Sequence, residues 1–322
     1  MHFHRSAAGL VVQAPAKLNL FFEVLAKRTD EYHEIETLVY PVDLYDTLYF
    51  IHQPGGQVRL SCELGCGWGT EKGDRHLLCE APDGPSRQEV PVPFFLGDVP
   101  TGPENLVVRA VELLRRRAGV AHGATMRLVK RIPSAAGLGG GSSDAAAALK
   151  AANIAWNLGL PDLQLAEIGA ELGSDVPLFF AGGPAVCRGR GEKVARVAGL
   201  GRLDFVVVRP PAGLSTAAVY GVCRKADRPQ PLEPLVAALA RGDLAAAGRL
   251  LFNRLEEAAR ALSPWIRRLL GELAALDCLG FGMTGSGSCC FGLCRHARHA
   301  RRTASRLQAR GLGVALAVGG CC

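Results

Sequence analysis

The 322-residue sequence has no apolar run of about 18 residues, so nothing in it reads as a membrane-spanning helix. Its opening stretch, Met-His-Phe-His-Arg-Ser, also lacks the apolar core of a signal peptide, and the expected setting is the cytoplasm, without a membrane partner. Aromatic residues are scarce, at 6%, and the arginine-rich stretches are not interleaved with rings on which bases could stack. That argues against a nucleic acid partner, although the net charge of +7 implies anionic ligands. The eleven cysteines are odd in number and scattered, which fits small buried side chains in a reducing compartment better than a disulfide framework. Cys62, Cys66, His76 and Cys79 follow no standard zinc-finger spacing, leaving open a zinc site or a metal-free insertion. No Lys-Ser/Thr pair follows the main glycine cluster, which excludes a Walker A loop, and Val129 to Pro133 offers no opening strand of ordinary length for a dinucleotide-binding fold.

What is present is an ordinary globular composition, 48% hydrophobic and 21% charged, long enough for two domains. Its most informative stretch is Pro133-Ser134-Ala135-Ala136-Gly137-Leu138-Gly139-Gly140-Gly141-Ser142-Ser143. Four glycines allow successive backbone N–H groups to point into one concavity without Cβ obstruction, and the Ala-rich run that follows favours helix. The loop therefore delivers an anion to a helix N-terminus, with Ser142 or Ser143 as the expected cap. Asp144 follows immediately; it is a rival for a general-base role, but its place in the first turn favours helix-start chemistry or support of a metal.

Residues 10 to 25 cluster apolar side chains as strands do, interrupted by Lys17 and Asn19. At period two these lie on one face, which meets either water or a ligand. Tyr32 and His33 stand at the entrance of a second strand, Ile35 to Val39, where His33 is open to a structural or a ligand-binding reading. Residues 53 to 103 read as an irregular insertion. Asn105 caps a helix over Leu106 to Ala118, and another helix runs from Asp162 to Leu172. Gly173 ends that helix before Ser174-Asp175-Val176-Pro177, where Asp175 either closes a turn or points into a site. From Phe205 onwards the order is strand, a helix-rich middle, a glycine-rich turn at 282 to 288, strand, helix and strand, which makes the chain α+β. The Arg295 to Arg310 run has helical spacing and reads as a solvated helix face.

Three features in this order resemble the motifs of the GHMP small-molecule kinases: Ala-Pro-Ala-Lys17-Leu-Asn19-Leu, the loop Pro133 to Ser143, and Gly285-Ser286-Gly287. The resemblance implies an N-terminal domain like domain 2 of ribosomal protein S5, over residues 1–200, and a ferredoxin-like C-terminal domain over 201–322. It further implies ATP held by the 133 to 143 loop, with Mg²⁺ assisted by the Ser142 or Ser143 hydroxyl, and Lys17 and Asp175 as the catalytic pair. Finer features, Glu31 to Thr37, Gly173 to Pro177 and Arg188 to Glu192, are similar to the branch that phosphorylates a cytidine diphosphate-linked polyol. Asn19, Tyr32, His33 and Thr216 would then contact that substrate. Some members have a second aromatic residue to sandwich the base; Val186 and Cys187 stand there in this sequence. The alternatives are a kinase of the same family acting on mevalonate, homoserine or a sugar, and a non-catalytic binding protein of that fold. Oligomeric state is not legible.

Overall fold

The structure, a computed structural model, describes residues 1–6, 9–65, 99–225 and 227–321. Cys66, His76 and Cys79 of the candidate zinc set lie outside them, as does Cys322. Among the described residues no three His, Cys, Asp or Glu side chains gather as a metal site, and no helix is long and apolar enough to cross a membrane.

Two sheets organise the chain. The eight-stranded first sheet takes β1 (His2–Ser6), β2 (Gly9–Lys27), β3 (His33–Gln53), β4 (Val58–Leu64), β5 (Gly123–Lys130), β6 (Ala185–Gly189) and β7 (Lys193–Arg196). The second begins with β8 (Asp204–Arg209), while β9 (Phe252–Asn253) returns to pair with β2 in the first. With β10 (Gly280–Met283), β11 (Cys290–Cys294) and β12 (Val314–Gly319), the second sheet has the order β10-β11-β8-β12. β4 lies inside the stretch expected to be irregular, where Val58, Leu60 and Cys62 turn partly buried side chains toward the core. A strand of ordinary length does precede the glycine loop, contrary to the sequence reading, because β5 begins upstream at Gly123. It pairs antiparallel with β3 and parallel with β4, within a sheet otherwise built mainly of antiparallel pairs.

The helices α1 (Leu106–Ala118), α2 (Gly140–Ala155) and α3 (Asp162–Ala170) belong to the first sheet. In α1 the Asn105 side chain accepts from the Val107 amide, and Gly119 ends the helix at φ +65°. The fully buried residues Ala145 to Ala148 let α2 lie close against β2 and β3, where larger side chains would hold it off. The later helices are α4 (Thr216–Val222), α5 (Glu233–Ala240), α6 (Leu244–Arg249), α7 (Glu256–Leu262), α8 (Pro264–Ala274) and α9 (Ala297–Ala309). On α9, Arg298, Arg301, Arg302 and Arg306 face water while Ala300, Thr303, Ala304 and Leu307 are buried. Leu18 and Tyr40 of the first sheet share a core with Phe205 and Phe291 of the second, so a common apolar joint fixes the two sheets beside the cleft between them.

An ion pair on a buried carboxylate ties β2 to the segment after β9. Glu23, fully buried on β2, receives Arg254 Nε and Nη2 at 2.7 Å each, and the amides of Val24 and Gln230 at 2.9 Å. Burial opposes its charge, but these donors prevail and hold the carboxyl below its ordinary range.

Candidate active site

The loop between β5 and α2 is shaped by positive backbone angles at Ala135 (+50°), Gly137 (+75°) and Gly139 (+71°). Glycine is required at 137, since a Cβ there would lie 2.1 Å from the Thr284 carbonyl oxygen. Helix α2 starts three to four residues earlier than the sequence suggested. Gly139 is its N-cap, in the left-handed region, and no side chain caps it, so Ser142 and Ser143 are not the cap. Free amides at the helix start are thereby left for an anion. The loop's side chains divide: Ala135, Gly137, Gly139 and Ser142 line the cleft, whereas Ala136 and Leu138 are buried in the shared core. Leu138 accepts from the Lys17 amide at 3.0 Å and Ala136 from the Cys289 amide, tying the loop to both sheets. Pro133 and Gly140 are buried, while Ser134 and Gly141 are exposed.

Asp144 neither caps α2 nor lines the cleft, which corrects the helix-start and general-base roles weighed for it. It is buried with Lys130 and Asp46: Lys130 Nζ donates to Asp144 at 2.6 Å and to Asp46. Asp46 also accepts from the Arg131 and Ile132 amides, fixing the chain as it enters the loop. One cation cannot balance two carboxylates in a dry site. Asp46 has several donors, whereas Asp144 Oδ1 has no hydrogen-bond partner among the described residues, so Asp144 is the member that holds a proton. Burial and the neighbouring Asp46 push it up to about 8, against the pull of Lys130. Lys130 stays above the ordinary lysine range because the two carboxylates outweigh its burial.

The cleft between the two sheets has a volume of about 1040 Å³, ample for a small-molecule ligand. Lys17, Asn19, Tyr32, His33, Asp175 and Thr216 all line it, together with the glycine loop. Register shifts in the β2–β3 pairing flank Lys17 and Asn19, between Pro15 and Ala16 and between Asn19 and Phe21. Lys17 is buried and its Nζ lies 3.8 Å from Asp175 Oδ2, while the Asp175 side chain is 45% exposed in the cleft. Burial lowers the Lys17 pKa and Asp175 partly restores it.

Asn19 is a junction. Its Oδ1 accepts from Lys17 Nζ at 2.5 Å, its Nδ2 donates to Thr37 at 2.9 Å, and its amide donates to Thr284 Oγ1 at 3.0 Å. The Thr284 hydroxyl in turn donates to the Gly137 carbonyl at 3.0 Å. The glycine-rich turn after β10 thus rests on the loop before α2, and Asn253 braces it from behind through the Met283 and Gly285 carbonyls. Thr216, the first residue of α4, meets Ser286 of the same turn at 2.7 Å.

At the far end, His33 stacks on Tyr220 of α4 with ring centroids 4.8 Å apart. Burial, aided by Lys27, lowers the His33 pKa. Tyr32, 52% exposed, carries the Arg190 guanidinium over its ring at 4.6 Å. Tyr220 was missed in the sequence, and Arg190 was singled out only within the Arg188 to Glu192 stretch, without a place in the site. Val186 is 8% exposed and Cys187 2%, with Cys187 on the cleft wall.

Two family descriptions match the chain: GHMP kinases N terminal domain over residues 105–183, and GHMP kinases C terminal over residues 235–312. The 4-diphosphocytidyl-2-C-methyl-D-erythritol kinase of Pelotomaculum thermopropionicum is 39% identical over 295 residues, 91% of this chain and 92% of that protein. A crystal structure of a 4-(cytidine 5'-diphospho)-2C-methyl-D-erythritol kinase superposes with a TM-score of 0.73 at 34% identity, covering 97% of this chain and 99% of the other. A homoserine kinase from Cytophaga hutchinsonii shares the fold at a TM-score of 0.72 and 18% identity, covering 99% of this chain and 96% of the other.

Proposed function

Since the chain belongs to the 4-diphosphocytidyl-2-C-methyl-D-erythritol kinases of the GHMP kinase family, we propose that its cleft transfers the terminal phosphoryl group of ATP to the 2-hydroxyl of that cytidine diphosphate-linked polyol, a step toward isoprenoid precursors carried out in the cytoplasm. The observation that carries this reading is the Lys17–Asp175 pair at 3.8 Å, in a cleft bounded by an anion cradle on one side and an aromatic cluster on the other.

Phosphoryl transfer asks mainly for positioning and charge stabilisation. The loop Pro133 to Ser143 and the uncapped start of α2 hold the nucleotide phosphates through backbone N–H groups. Asp175, open to the cleft, accepts the proton of the substrate hydroxyl. Lys17, paired with that carboxylate, orients the hydroxyl and offsets charge on the transferred group; Asn19 fixes its ammonium. Hydroxyls suit Mg²⁺, a hard cation that keeps several waters: Ser142 lines the cleft, and Ser143 Oγ is buried without a partner among the described residues. When bound, Mg²⁺ would neutralise phosphate charge, and Ser142 and Ser143 are the residues to hold it.

Tyr32, His33 and Tyr220 favour a base at the acceptor end, with Asn19 and Thr216 reaching the polar groups of the substrate. The aromatic cluster is what separates this reading from a mevalonate or homoserine kinase, since the fold alone is common to all of them. The test is ATP turnover by the purified protein with the cytidyl polyol, mevalonate and homoserine in parallel. Turnover confined to the first supports the assignment, and turnover with either of the others overturns it.

A further inference from the structure

His52 and His122 meet where the core face of the first sheet opens to water. On β3, Leu48, Phe50 and His52 share one face because alternate strand residues do, and the first two are buried in the core that α2 covers. Helix α2 is closed by Trp156, whose ring centroid lies 6.3 Å from that of Phe50, so His52 is the first of the row left exposed. The β3–β5 register sets His52 opposite Ala124, which makes His122, two positions earlier, its diagonal neighbour and brings it within reach. Trp156 steadies the His122 segment: its Nε1 donates to the Gly123 carbonyl at 3.3 Å, and its ring lies 6.1 Å from that of His122. His52 Nε2 and His122 Nδ1 then stand 3.3 Å apart, with the rings at 90° and their centroids 4.8 Å apart. Among the described residues neither of these nitrogens has another hydrogen-bond partner.

We propose that His52 and His122 form a binding site for a divalent transition metal ion of the nickel, copper or zinc class, one imidazole nitrogen coming from each ring and water completing the shell. Imidazole is the side chain best suited to these ions and binds them through a neutral ring nitrogen. Two metal–nitrogen bonds of about 2 Å at a tetrahedral angle place the nitrogens roughly 3.3 Å apart. That is the spacing the fold already provides between the two rings. For both facing nitrogens to offer lone pairs, the ring that donates moves its proton to its other nitrogen, and the rings turn toward a common point. Neither residue lines the cleft, so the site is separate from the one proposed for phosphoryl transfer, and its nitrogen ligands do not suit Mg²⁺. A bound ion would clamp the end of β3 to the segment entering β5, against Trp156 at the end of α2.

The test titrates the full-length protein, freed of metal with a chelator, with nickel chloride by isothermal calorimetry, beside His52→Ala and His122→Ala. Losing a ligand costs at least what losing a ligand's supporting partner does, so each variant should weaken one wild-type nickel site by roughly ten- to a hundredfold or more. In parallel, the wild type is modified with diethyl pyrocarbonate and mapped by peptide mass spectrometry. Nickel should shield His52 and His122 together while the exposed His4 reacts as before. Neither histidine is buried, so both variants should keep the wild-type Tm; should His122→Ala, which loses a ring beside Trp156, fail to fold, His52→Ala and the shielding decide. Nickel affinity unchanged in His52→Ala, or equal modification of His52 and His122 with and without nickel, overturns the proposal.

Discussion

Replacing Asp144 by asparagine removes the group that the Asp46–Lys130–Asp144 cluster forces to keep its proton. In the unfolded chain an aspartate ionises near pH 4, whereas in the folded protein Asp144 does so at about 8. A carboxyl whose pKa is raised on folding contributes its full stability below the unfolded value and loses it as the pH rises to the folded one. The wild type therefore loses up to about 1.4 kcal/mol per pH unit through this group in that window, or about 4 kcal/mol between pH 5 and pH 8. Asparagine does not titrate, and whatever it costs through a poorer contact with Lys130 is constant over the same range. Urea unfolding of both proteins at several pH values measures the difference directly. The stability of Asp144→Asn relative to wild type should climb with pH and flatten above about pH 8. A difference that stays level from pH 5 to pH 8 refutes the assignment of the proton to Asp144.

Asp175→Asn should lower kcat by about 10²- to 10⁴-fold while leaving the KM for ATP within a few-fold of wild type, and an unchanged kcat removes Asp175 as the base. Lys17→Met should abolish most turnover yet melt no lower than wild type. Burial depresses the Lys17 pKa, so its charge costs stability below that value and the cost fades as the pH rises through it; a drop in Tm in the variant contradicts this. Tyr220→Ala, which removes the ring stacked on His33, should raise the KM for the cytidyl substrate more than that for ATP, and equal effects on both would argue against a base in that subsite. Arg254→Met should cost about 3–5 kcal/mol by leaving Glu23 buried without its cation, and adding Glu23→Gln should recover much of it; a urea midpoint unmoved by the single change would sink the argument.

The parts of the site written in local chemistry were legible. Four glycines in five positions, with a helix former after them, point to a tight loop at a helix start, and two of them, Gly137 and Gly139, take the left-handed angles that glycine accepts most readily. Lys17 and Asn19 declare a shared polar face through the two-residue period of a strand, and Asp175 stands out as a carboxylate in a turn between apolar segments. What sequence reasoning missed depends on distant partners. Asn19 and Thr284, bonded at 3.0 Å, are 265 positions apart, and nothing near Tyr220 signals that it will lie on His33. The start of α2 was misread because serine is the commoner cap, whereas here Gly139 takes a left-handed turn and leaves the amides open. Asp144 was misread for a related reason: its surroundings are Asp46 and Lys130 from two strands, not the helix that holds it. The β4 strand went unseen because its alternation is brief and its neighbours are rich in turn residues.

The hydrogen-bonded run from Lys17 through Asn19 and Thr284 to Gly137 has a practical corollary for anyone reshaping this enzyme. On the proposed function it sets the gauge between donor and acceptor without using a single group from the aromatic end. Altering Tyr32, His33 or Tyr220 to accept a different alcohol should therefore leave the reach of the phosphoryl jump intact. A change at Asn19 or Thr284 would spoil that gauge for every substrate at once.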